Sequence, residues 1–307
     1  MAPERLKVGV VGVGHVGSLH AKIYASLPTA ELVGICDIHP TTAQRVGTLF
    51  RCRSVTDYRE LLPHVQAVSL AAPTSLHYAI GRDCLQHGRH LLIEKPVATS
   101  LAEADELVQL ADARRLTLQV GHVERFNAAI QQASRLLTRP RFIESHRLSP
   151  YTVRGTDVSV VLDLMIHDLD VVLAFVRSEV TRVEAVGVSV LSASADLASA
   201  RLTFAEGAVA NLTASRVSEE ALRKIRIFQD DAYLSIDYLA QEIRSARKVN
   251  SQITRETLPI TRVQPLEEEL KAFVEAIQTG RPPMVSGRAG REALALALQI
   301  ESAMRRR

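Results

Sequence analysis

The chain has 307 residues, 47% of them hydrophobic, and its 37 lysines and arginines nearly balance 34 aspartates and glutamates, for a formal net charge of +3. This length suits two domains with sizeable cores. The small net charge argues against a nucleic-acid-binding protein but leaves anionic small molecules as possible partners. No stretch approaches a membrane span or a signal peptide, so we expect a cytoplasmic protein without a membrane partner.

The first part of the chain alternates short apolar strands with helical patterns. Strands are predicted at 6–11, 31–36, 67–72, 90–95 and 116–120, and helices around 15–26, 40–49, 57–62, 76–87 and 100–114. Pro40 suits a helix start, and Ser100 forms a capping box with Glu103. Apolar strands separated by helices indicate a parallel sheet covered on both faces. We therefore predict a doubly wound α/β domain over residues 1–122.

A glycine motif, Gly12-Val13-Gly14-His15-Val16-Gly17, joins the first strand to the first helix, and Asp37 ends the second strand. In this context Gly12 permits a tight turn, Gly14 lets a pyrophosphate approach the backbone, and Gly17 allows close helix–strand packing. Asp37 would bind the adenosine ribose and repel a 2′-phosphate, which favours NAD over NADP. The pattern predicts a dinucleotide-binding Rossmann domain; the alternative is a structural glycine turn.

Further cofactor contacts are predicted at the carboxyl ends of later strands, where ligands of such sheets bind. Pro73 and Thr74 would line the nicotinamide side. Lys95 stands at the end of a strand, and Pro96 would turn the chain away and leave the lysine facing the cofactor crevice; the alternative is an ordinary surface lysine. The predicted cofactor-binding residues are Gly12, Gly14, His15, Val16, Gly17, Asp37, Ala72, Pro73, Thr74, His77, Glu94 and Lys95.

From about residue 141 the pattern changes to antiparallel strands joined by short turns. Strands are predicted at 141–148, 181–191, 197–205, 208–217, 223–229 and 232–238, followed by helices at 266–279 and 288–306. We predict an α+β domain over residues 123–307, with a large, mainly antiparallel open sheet and C-terminal helices that can pack back on the first domain. An open sheet with an apolar face needs covering, so we expect a homodimer or homotetramer through it.

The segment VLDLMIHDLDVVL, residues 161–173, combines an apolar helical face with charged residues. One arc of a helical wheel holds the apolar residues Met165, Ile166, Leu169, Val172 and Leu173. A second arc holds Asp163, His167 and Asp170, of which Asp170 is expected to be a structural partner. Asp168 projects away from both arcs, toward solvent or a domain contact.

Three interpretations of the Asp163–His167–Asp170 row remain. It could be a solvated face. It could bind a metal, although the spacing matches no recognised zinc motif and we expect no metal. It could perform acid–base chemistry, with a carboxylate that orients the imidazole.

Several motifs together resemble one enzyme family. GVVGVGHVGSLHA, AAPTSLHY, IEKP and the D-x-x-x-H of Asp163 and His167 occur in the order seen in the Gfo/Idh/MocA oxidoreductases, and the C-terminal GRPPMVSGRAGREALALALQIESA is also similar. The resemblance covers essentially the whole chain. It implies a Rossmann domain, a following domain with a large open sheet, and catalytic positions at Lys95, Asp163 and His167. Many members carry glycines at Met165 and in place of 154–159, so substrate contacts near that loop are expected to differ.

The chemistry of these three residues suits oxidation of a secondary alcohol. His167 can accept the hydroxyl proton near neutral pH, and Asp163 can orient the imidazole and stabilise its charged form. Lys95 can donate a hydrogen bond to the reacting oxygen. NAD takes the hydride.

The substrate class is suggested by GHVERFN, residues 121–127, together with VLDLMIHDLD. These segments are most similar to the branch that oxidises the 3-hydroxyl of UDP-N-acetylglucosamine, whose keto product is aminated for lipid A. Arginines suit a diphosphate, although most could be surface or interdomain residues. The candidate substrate-binding arginines are Arg125, Arg147, Arg154 and Arg216, and the further candidates are Asn127, Tyr151 and His167.

Two other functions remain open. A dehydrogenase of a free sugar or an inositol-type polyol would use the same three catalytic residues. A non-catalytic, NAD-sensing regulatory protein would not require all of them. Reduction of a large planar substrate such as biliverdin is disfavoured because aromatic residues make up 4% of the chain and tryptophan is absent.

Overall fold

The structure is a computed structural model that describes residues 5–151, 158–249 and 252–305. Their contacts separate into two compact units. The first comprises the described part of Met1–His122 together with Leu266–Arg291, and the second comprises that of Val123–Pro265 together with Glu292–Arg307. The segment Leu266–Arg291 therefore groups with the N-terminal unit; the sequence pattern placed it in the second domain and allowed the C-terminal helices to pack back on the first.

The first unit is built on a six-stranded parallel sheet in the order β3-β2-β1-β4-β5-β6. Strand order reverses between β1 and β4, which is the switch point where such sheets bind ligands. The strands are β1 Leu6–Val11, β2 Ala30–Cys36, β3 Arg53–Val55, β4 Ala67–Leu70, β5 His90–Glu94 and β6 Leu118–Gly121.

The α-helices of the described residues follow the chain through both units. They are α1 His15–Ser26, α2 Pro40–Phe50, α3 Thr74–Gln86, α4 Leu101–Ala113, α5 Ala128–Leu136, α6 Ile166–Val176, α7 Pro265–Thr279 and α8 Gly287–Arg305. Helix α2 starts at Pro40, and Ser100 and Glu103 form the predicted capping box at α4. None of these helices is both long and apolar enough to cross a membrane.

The core of the first unit packs helices against both faces of the sheet. Val8 and Val10 of β1 share a buried cluster with Tyr24 of α1 and with Phe273 of α7. Two local predictions were wrong. Strand β3 was missed because it has only three residues, and the helix predicted at 57–62 consists of two 3₁₀ turns, Tyr58–Glu60 and Leu62–His64. A proline within the second turn removes a backbone donor and disfavours a continuous α-helix.

The second unit contains an eight-stranded sheet in the order β14-β13-β12-β11-β7-β10-β9-β8. Among the described strands of this second sheet, only β7 and β10 pair in parallel, so the predicted mainly antiparallel sheet is confirmed. The strands are β7 Pro140–Leu148, β8 Val180–Val188, β9 Leu197–Phe204, β10 Val209–Ser215, β11 Leu222–Gln229, β12 Ala232–Asp237, β13 Glu242–Val249 and β14 Gln252–Leu258.

One face of this sheet forms the core of the second unit. Ile143 and Ile225 point into a buried cluster that also contains Leu169 of α6 and Ile300 of α8. The sequence pattern missed β13, β14 and α5. Strand β14 is solvent-exposed along almost its whole length and therefore lacks the apolar alternation that marks a strand.

Candidate active site

The glycine loop of the first unit is shaped by two close approaches. Gly12 has φ +82°, and a Cβ built on it would lie 2.6 Å from the backbone nitrogen of Ala72. A Cβ on Gly17 would overlap the carbonyl oxygen of Gly12. Both positions therefore require glycine if the loop is to pack against β4 and α1.

Gly14 has different surroundings, which fit a pyrophosphate. It immediately precedes α1, whose first turn receives no hydrogen bond from the side chain of a capping residue. A Cβ built on Gly14 would have no heavy atom of the described residues within 4 Å. His15 and Val16 of the first turn are exposed. The backbone N–H groups at a helix start favour anionic ligands, and a pyrophosphate here would occupy the space beside Gly14.

Asp37 follows β2 and is tied to the glycine loop. Its Oδ2 accepts the backbone N–H of Val13 at 3.1 Å, and its Oδ1 accepts that of His39 at 3.0 Å. These bonds fix the direction of a half-buried carboxylate whose remaining lone pairs can accept hydroxyl donors. The loop and Asp37 together fit the pyrophosphate and ribose of a dinucleotide.

The predicted contacts after β4 are linked to the segment after β5 by a histidine. Pro73 precedes α3 and Thr74 begins it. The two ring nitrogens of His77 lie 2.8 Å from the carbonyl oxygen of Ala72 and 2.9 Å from that of Pro96. Burial lowers the pKa of His77. This ring therefore connects two backbone segments, so we propose a supporting position for it beside the cofactor.

Glu94, at the end of β5, holds the backbone that carries Lys95. Its Oε1 lies 3.3 Å from Nε2 of His20, and its Oε2 accepts the backbone N–H of Lys95 at 3.3 Å. Nδ1 of His20 lies 2.7 Å from Oγ of Ser69. A Cβ on Gly121 would lie 2.8 Å from Oε1 of Glu94, so the carboxylate fills the space next to that glycine.

Sequence reasoning missed His20 and Ser69, both fully buried. The available signal was a histidine one turn after Gly17, on the side of α1 that packs against the sheet. Its significance depends on Ser69 and Glu94, which are distant in sequence and are brought to it by neighbouring parallel strands.

In the second unit, Asp163 and His167 lie at the start of the helical segment. Asp163 belongs to a π-helical turn, Val161–Met165, and His167 to the first turn of α6. Both residues are partly exposed. The apolar arc is confirmed for four residues, which are fully buried: Met165, Ile166, Leu169 and Val172. A π turn departs from 100° per residue, so the wheel does not hold across residues 161–166.

The expected position of Asp168 is wrong. Its side chain is 3% exposed, and its two carboxylate oxygens accept from Nε and Nη2 of Arg147 at 2.8 and 3.0 Å. Nη1 of Arg147 donates to Glu124 at 3.0 Å. A carboxylate can be buried when a paired, hydrogen-bonded cation accompanies it, and a helical wheel contains no information about such a partner.

Asp170 is buried, and Oδ1 lies 3.4 Å from Nη1 of Arg125. Burial raises the pKa of Asp170 to about 7, although the charge of Arg125 acts in the opposite direction. Asp170 thus pairs with Arg125 within the second unit, and the Arg125 side chain is still 20% exposed.

The other residues predicted at the substrate have different surroundings. Asn127 is buried, where it caps α5 through the N–H of Ala129 and donates to the carbonyl oxygen of Tyr238 at 2.9 Å. Arg216 is also buried and donates to the carbonyl oxygen of Val158 at 2.7 Å. Tyr151 is 40% exposed. Arg154 lies outside the described residues.

Comparison with known proteins identifies the family. Residues 6–122 match the model of the oxidoreductase family with an NAD-binding Rossmann fold, and residues 119–235 match the GFO/IDH/MocA C-terminal domain. UDP-N-acetylglucosamine 3-dehydrogenase from Acidithiobacillus ferrooxidans is 40% identical over 306 residues, which cover 97% of each chain. A solved structure of that enzyme has a TM-score of 0.94 at 39% identity, again over 97% of each chain.

More distant similarities include inositol dehydrogenases. Myo-inositol 2-dehydrogenase from Thermotoga maritima is 25% identical over 97% of this chain and 96% of its own. Scyllo-inositol dehydrogenase from Lactobacillus casei, solved with NAD(H) and scyllo-inositol, has a TM-score of 0.83 at 20% identity over 99% of this chain and 98% of its own, a likeness of fold. The full-length match at 40% identity and the two domain matches show that the chain belongs to the Gfo/Idh/MocA family of oxidoreductases, with an NAD-binding Rossmann domain.

Proposed function

We propose that the chain is an NAD-dependent dehydrogenase that oxidises the 3-hydroxyl of UDP-N-acetylglucosamine to a 3-keto nucleotide sugar. The observation that carries this proposal is the 40% identity over 97% of both chains with an enzyme of that name. The identity extends beyond the cofactor domain into the unit that contains Asp163 and His167, which is where members of a family with different substrates are expected to diverge.

Three residues would perform the acid–base chemistry. His167 would accept the hydroxyl proton, and Asp163 would orient the imidazole and stabilise its charged form. Lys95 would donate a hydrogen bond to the oxygen as it develops negative charge. NAD, when bound, supplies the acceptor for the hydride. The glycine loop and Asp37 would hold its pyrophosphate and ribose.

For the diphosphate of the substrate we propose Arg125, Tyr151 and Arg154. The first two expose part of their side chains in the structure. Arg147, Asn127 and Arg216 are buried with their polar groups engaged within the second unit, and we propose supporting positions for them. We also propose a cytoplasmic enzyme whose keto product supplies an amination step toward lipid A.

A second candidate is oxidation of a free sugar or polyol. It is favoured by the near full-length match to myo-inositol 2-dehydrogenase, at 25% identity. The two functions share the catalytic residues and differ in the need to bind a diphosphate, so substrate choice distinguishes them.

The purified chain with NAD should oxidise UDP-N-acetylglucosamine, followed by NADH absorbance and by mass spectrometry of a product two hydrogens lighter. The product measurement detects turnover even if NADH is reoxidised in place. UDP-glucose, free N-acetylglucosamine and myo-inositol serve as comparison substrates. Turnover of free sugars together with no activity on any nucleotide sugar would overturn the assignment of a nucleotide-sugar substrate.

The same assay tests the catalytic residues. Lys95→Ala and His167→Ala should each lower kcat by about 100-fold or more, because each removes a group that acts on the reacting oxygen or its proton. NAD affinity, measured by calorimetry, should change little with His167→Ala. Lys7→Ala, at an exposed lysine of β1, is the control. A wild-type rate in either variant would remove that residue from the mechanism.

A further inference from the structure

A buried ion cluster lies beside the residue proposed as the proton acceptor. Asp168 directly follows His167 on α6, and Arg147 of β7 binds both of its carboxylate oxygens. The same guanidinium donates to Glu124 at 3.0 Å. The side chains of Arg147 and Asp168 are each 3% exposed and that of Glu124 is 9% exposed.

The cluster is closed by an aromatic ring. The guanidinium carbon of Arg147 lies 5.2 Å from the ring centroid of Tyr238, within the range of a cation–π contact. Burial and the charge of Asp168 raise the pKa of Tyr238 well above its usual value. Asn127 donates to the carbonyl oxygen of Tyr238, so the backbone that carries the ring is held in place. Every nitrogen of the Arg147 guanidinium therefore has a carboxylate partner, and the Tyr238 ring contacts the face of the guanidinium plane.

Stability alone is a weak explanation for such a cluster. Removing an arginine and two carboxylates from water costs several kcal/mol per ion, and an apolar replacement of similar volume is often as stable. The bidentate pair does fix the orientation of the Asp168 carboxylate, because two parallel N–H···O bonds allow little rotation of either partner. The position of the Asp168 side chain is thus more restricted than burial alone would make it.

Because Asp168 and His167 are adjacent residues of α6, fixing the orientation of Asp168 also restricts the position of His167. A π turn runs directly into α6, with the N–H of Ile166 bonded to the carbonyl oxygen of Val161, so the twist of the helix changes just before His167. A rotation of about 20° would move an atom about 6 Å from the helix axis by about 2 Å. A displacement of 1 Å at a reacting group can lower a rate by about 100-fold. The buried apolar arc limits such a rotation on one side of the helix, and the Arg147 pair anchors the residue next to His167 on another.

We propose that Asp168, held by Arg147, is a positioning residue that sets the His167 imidazole for proton transfer. The proposal rests on the proposed dehydrogenase function and adds two residues that act through His167. Arg125 and Asp170 form a second, longer contact on the same helix, at 3.4 Å, and would contribute less.

The first test uses Asp168→Asn, which keeps the side-chain size and removes the charge, and Arg147→Lys, which keeps the charge and loses the bidentate geometry. Each should lower kcat by about tenfold or more and change KM for NAD and for the sugar by less than about threefold. Asp105→Asn is the matched control, because Asp105 in the first unit binds Arg291 through two hydrogen bonds at 2.8 and 3.2 Å. Its kcat should stay within about twofold of the wild type.

The second test distinguishes positioning from general loss of structure. In a His167→Ala background, measured at high enzyme concentration, adding Asp168→Asn should lower the residual kcat no further, because the residue to be positioned is absent. Equal losses in both backgrounds would show that Asp168 acts independently of His167 and overturn the proposal. Thermal unfolding identifies a variant that fails to fold, in which case Arg147→Lys decides the outcome. A wild-type chain without turnover refutes the proposed function, whereas an active wild type with unchanged Asp168→Asn and Arg147→Lys refutes only the positioning.

Discussion

Gly12 and Gly14 stand two residues apart, yet the structure gives them different tasks. Gly12 has a positive φ and packs against the backbone after β4, so its lack of a side chain serves the fold. Gly14 faces open space at the start of α1, so its lack of a side chain matters only when a ligand is present. The G-x-G-x-x-G pattern therefore combines a requirement of folding with a requirement of binding.

Alanine substitutions should separate these two requirements. Gly14→Ala should fold with a near wild-type melting temperature and weaken NAD binding by about tenfold or more, because the methyl group would occupy pyrophosphate space. Gly12→Ala should lower the free energy of unfolding by about 1–3 kcal/mol or more, because it combines strain at positive φ with a backbone overlap. Thermal unfolding and calorimetry measure the two effects. Wild-type NAD affinity in a folded Gly14→Ala variant would contradict the binding role.

At the scale of the element, α6 is an apolar helix held by ionic contacts on its polar side. Asp168 pairs with Arg147 of β7, and Asp170 faces Arg125 of a 3₁₀ turn, Val123–Phe126. The two contacts differ in character. The first has two short hydrogen bonds, whereas the second is a single contact at 3.4 Å, too weak to offset the burial of Asp170.

The elevated pKa of Asp170 makes the stability of this unit depend on pH. Burial raises it from 3.8 to about 7, opposed by Arg125 and assisted by Glu292. Between about pH 4 and 7 the folded chain therefore binds more protons at this carboxyl than the unfolded chain, so its contribution to stability falls as pH rises. Asp170→Asn removes that titration.

Relative to the wild type, Asp170→Asn should have a larger free energy of unfolding at pH 8 than at pH 5, by on the order of 2–3 kcal/mol. Urea denaturation at the two pH values measures this difference. Asp230→Asn, at an exposed aspartate, is the control and should show no such change. A relative stability that is equal at both pH values would show that Asp170 is ionised in the folded chain throughout this range.

At the scale of the whole molecule, the large sheet has one face packed in a core and one face outside it. On the outer face, Phe228 contacts Phe142 and Tyr233, with ring centroids 5.8 and 4.9 Å apart. Phe228 is 39% exposed. An exposed aromatic cluster on a broad sheet is typical of a surface that another protein covers, and the sequence led us to expect a homodimer or homotetramer through this sheet.

A charge placed in this cluster should separate the subunits. Phe228→Asp should convert the oligomer to a monomer in light scattering at micromolar concentration, because an unpaired carboxylate is costly in an apolar interface. Leu49→Asp, at a residue of α2 that is 65% exposed, is the matched control and should leave the oligomer intact. A monomeric wild type, or an oligomer that survives Phe228→Asp, would exclude this face as the interface.

The sequence by itself determined the parallel α/β unit, the glycine loop with Asp37, the capping box at Ser100 and the buried arc that contains Leu169. Each of these depends on residues close in the chain, where periodicity and turn chemistry act directly. The segment around Asp163 and His167 was marked as unusual by the same local pattern.

Only the tertiary structure decided which charged residues meet. Asp168 is buried because Arg147, twenty-one residues away, reaches it from a neighbouring strand, and Glu94 holds the Lys95 backbone beside His20, which comes from α1. Strand β14 is exposed and takes its structure from pairing with β13. Ion pairs and strand pairing join residues that are distant in sequence, so the local periodicity of the sequence does not predict them.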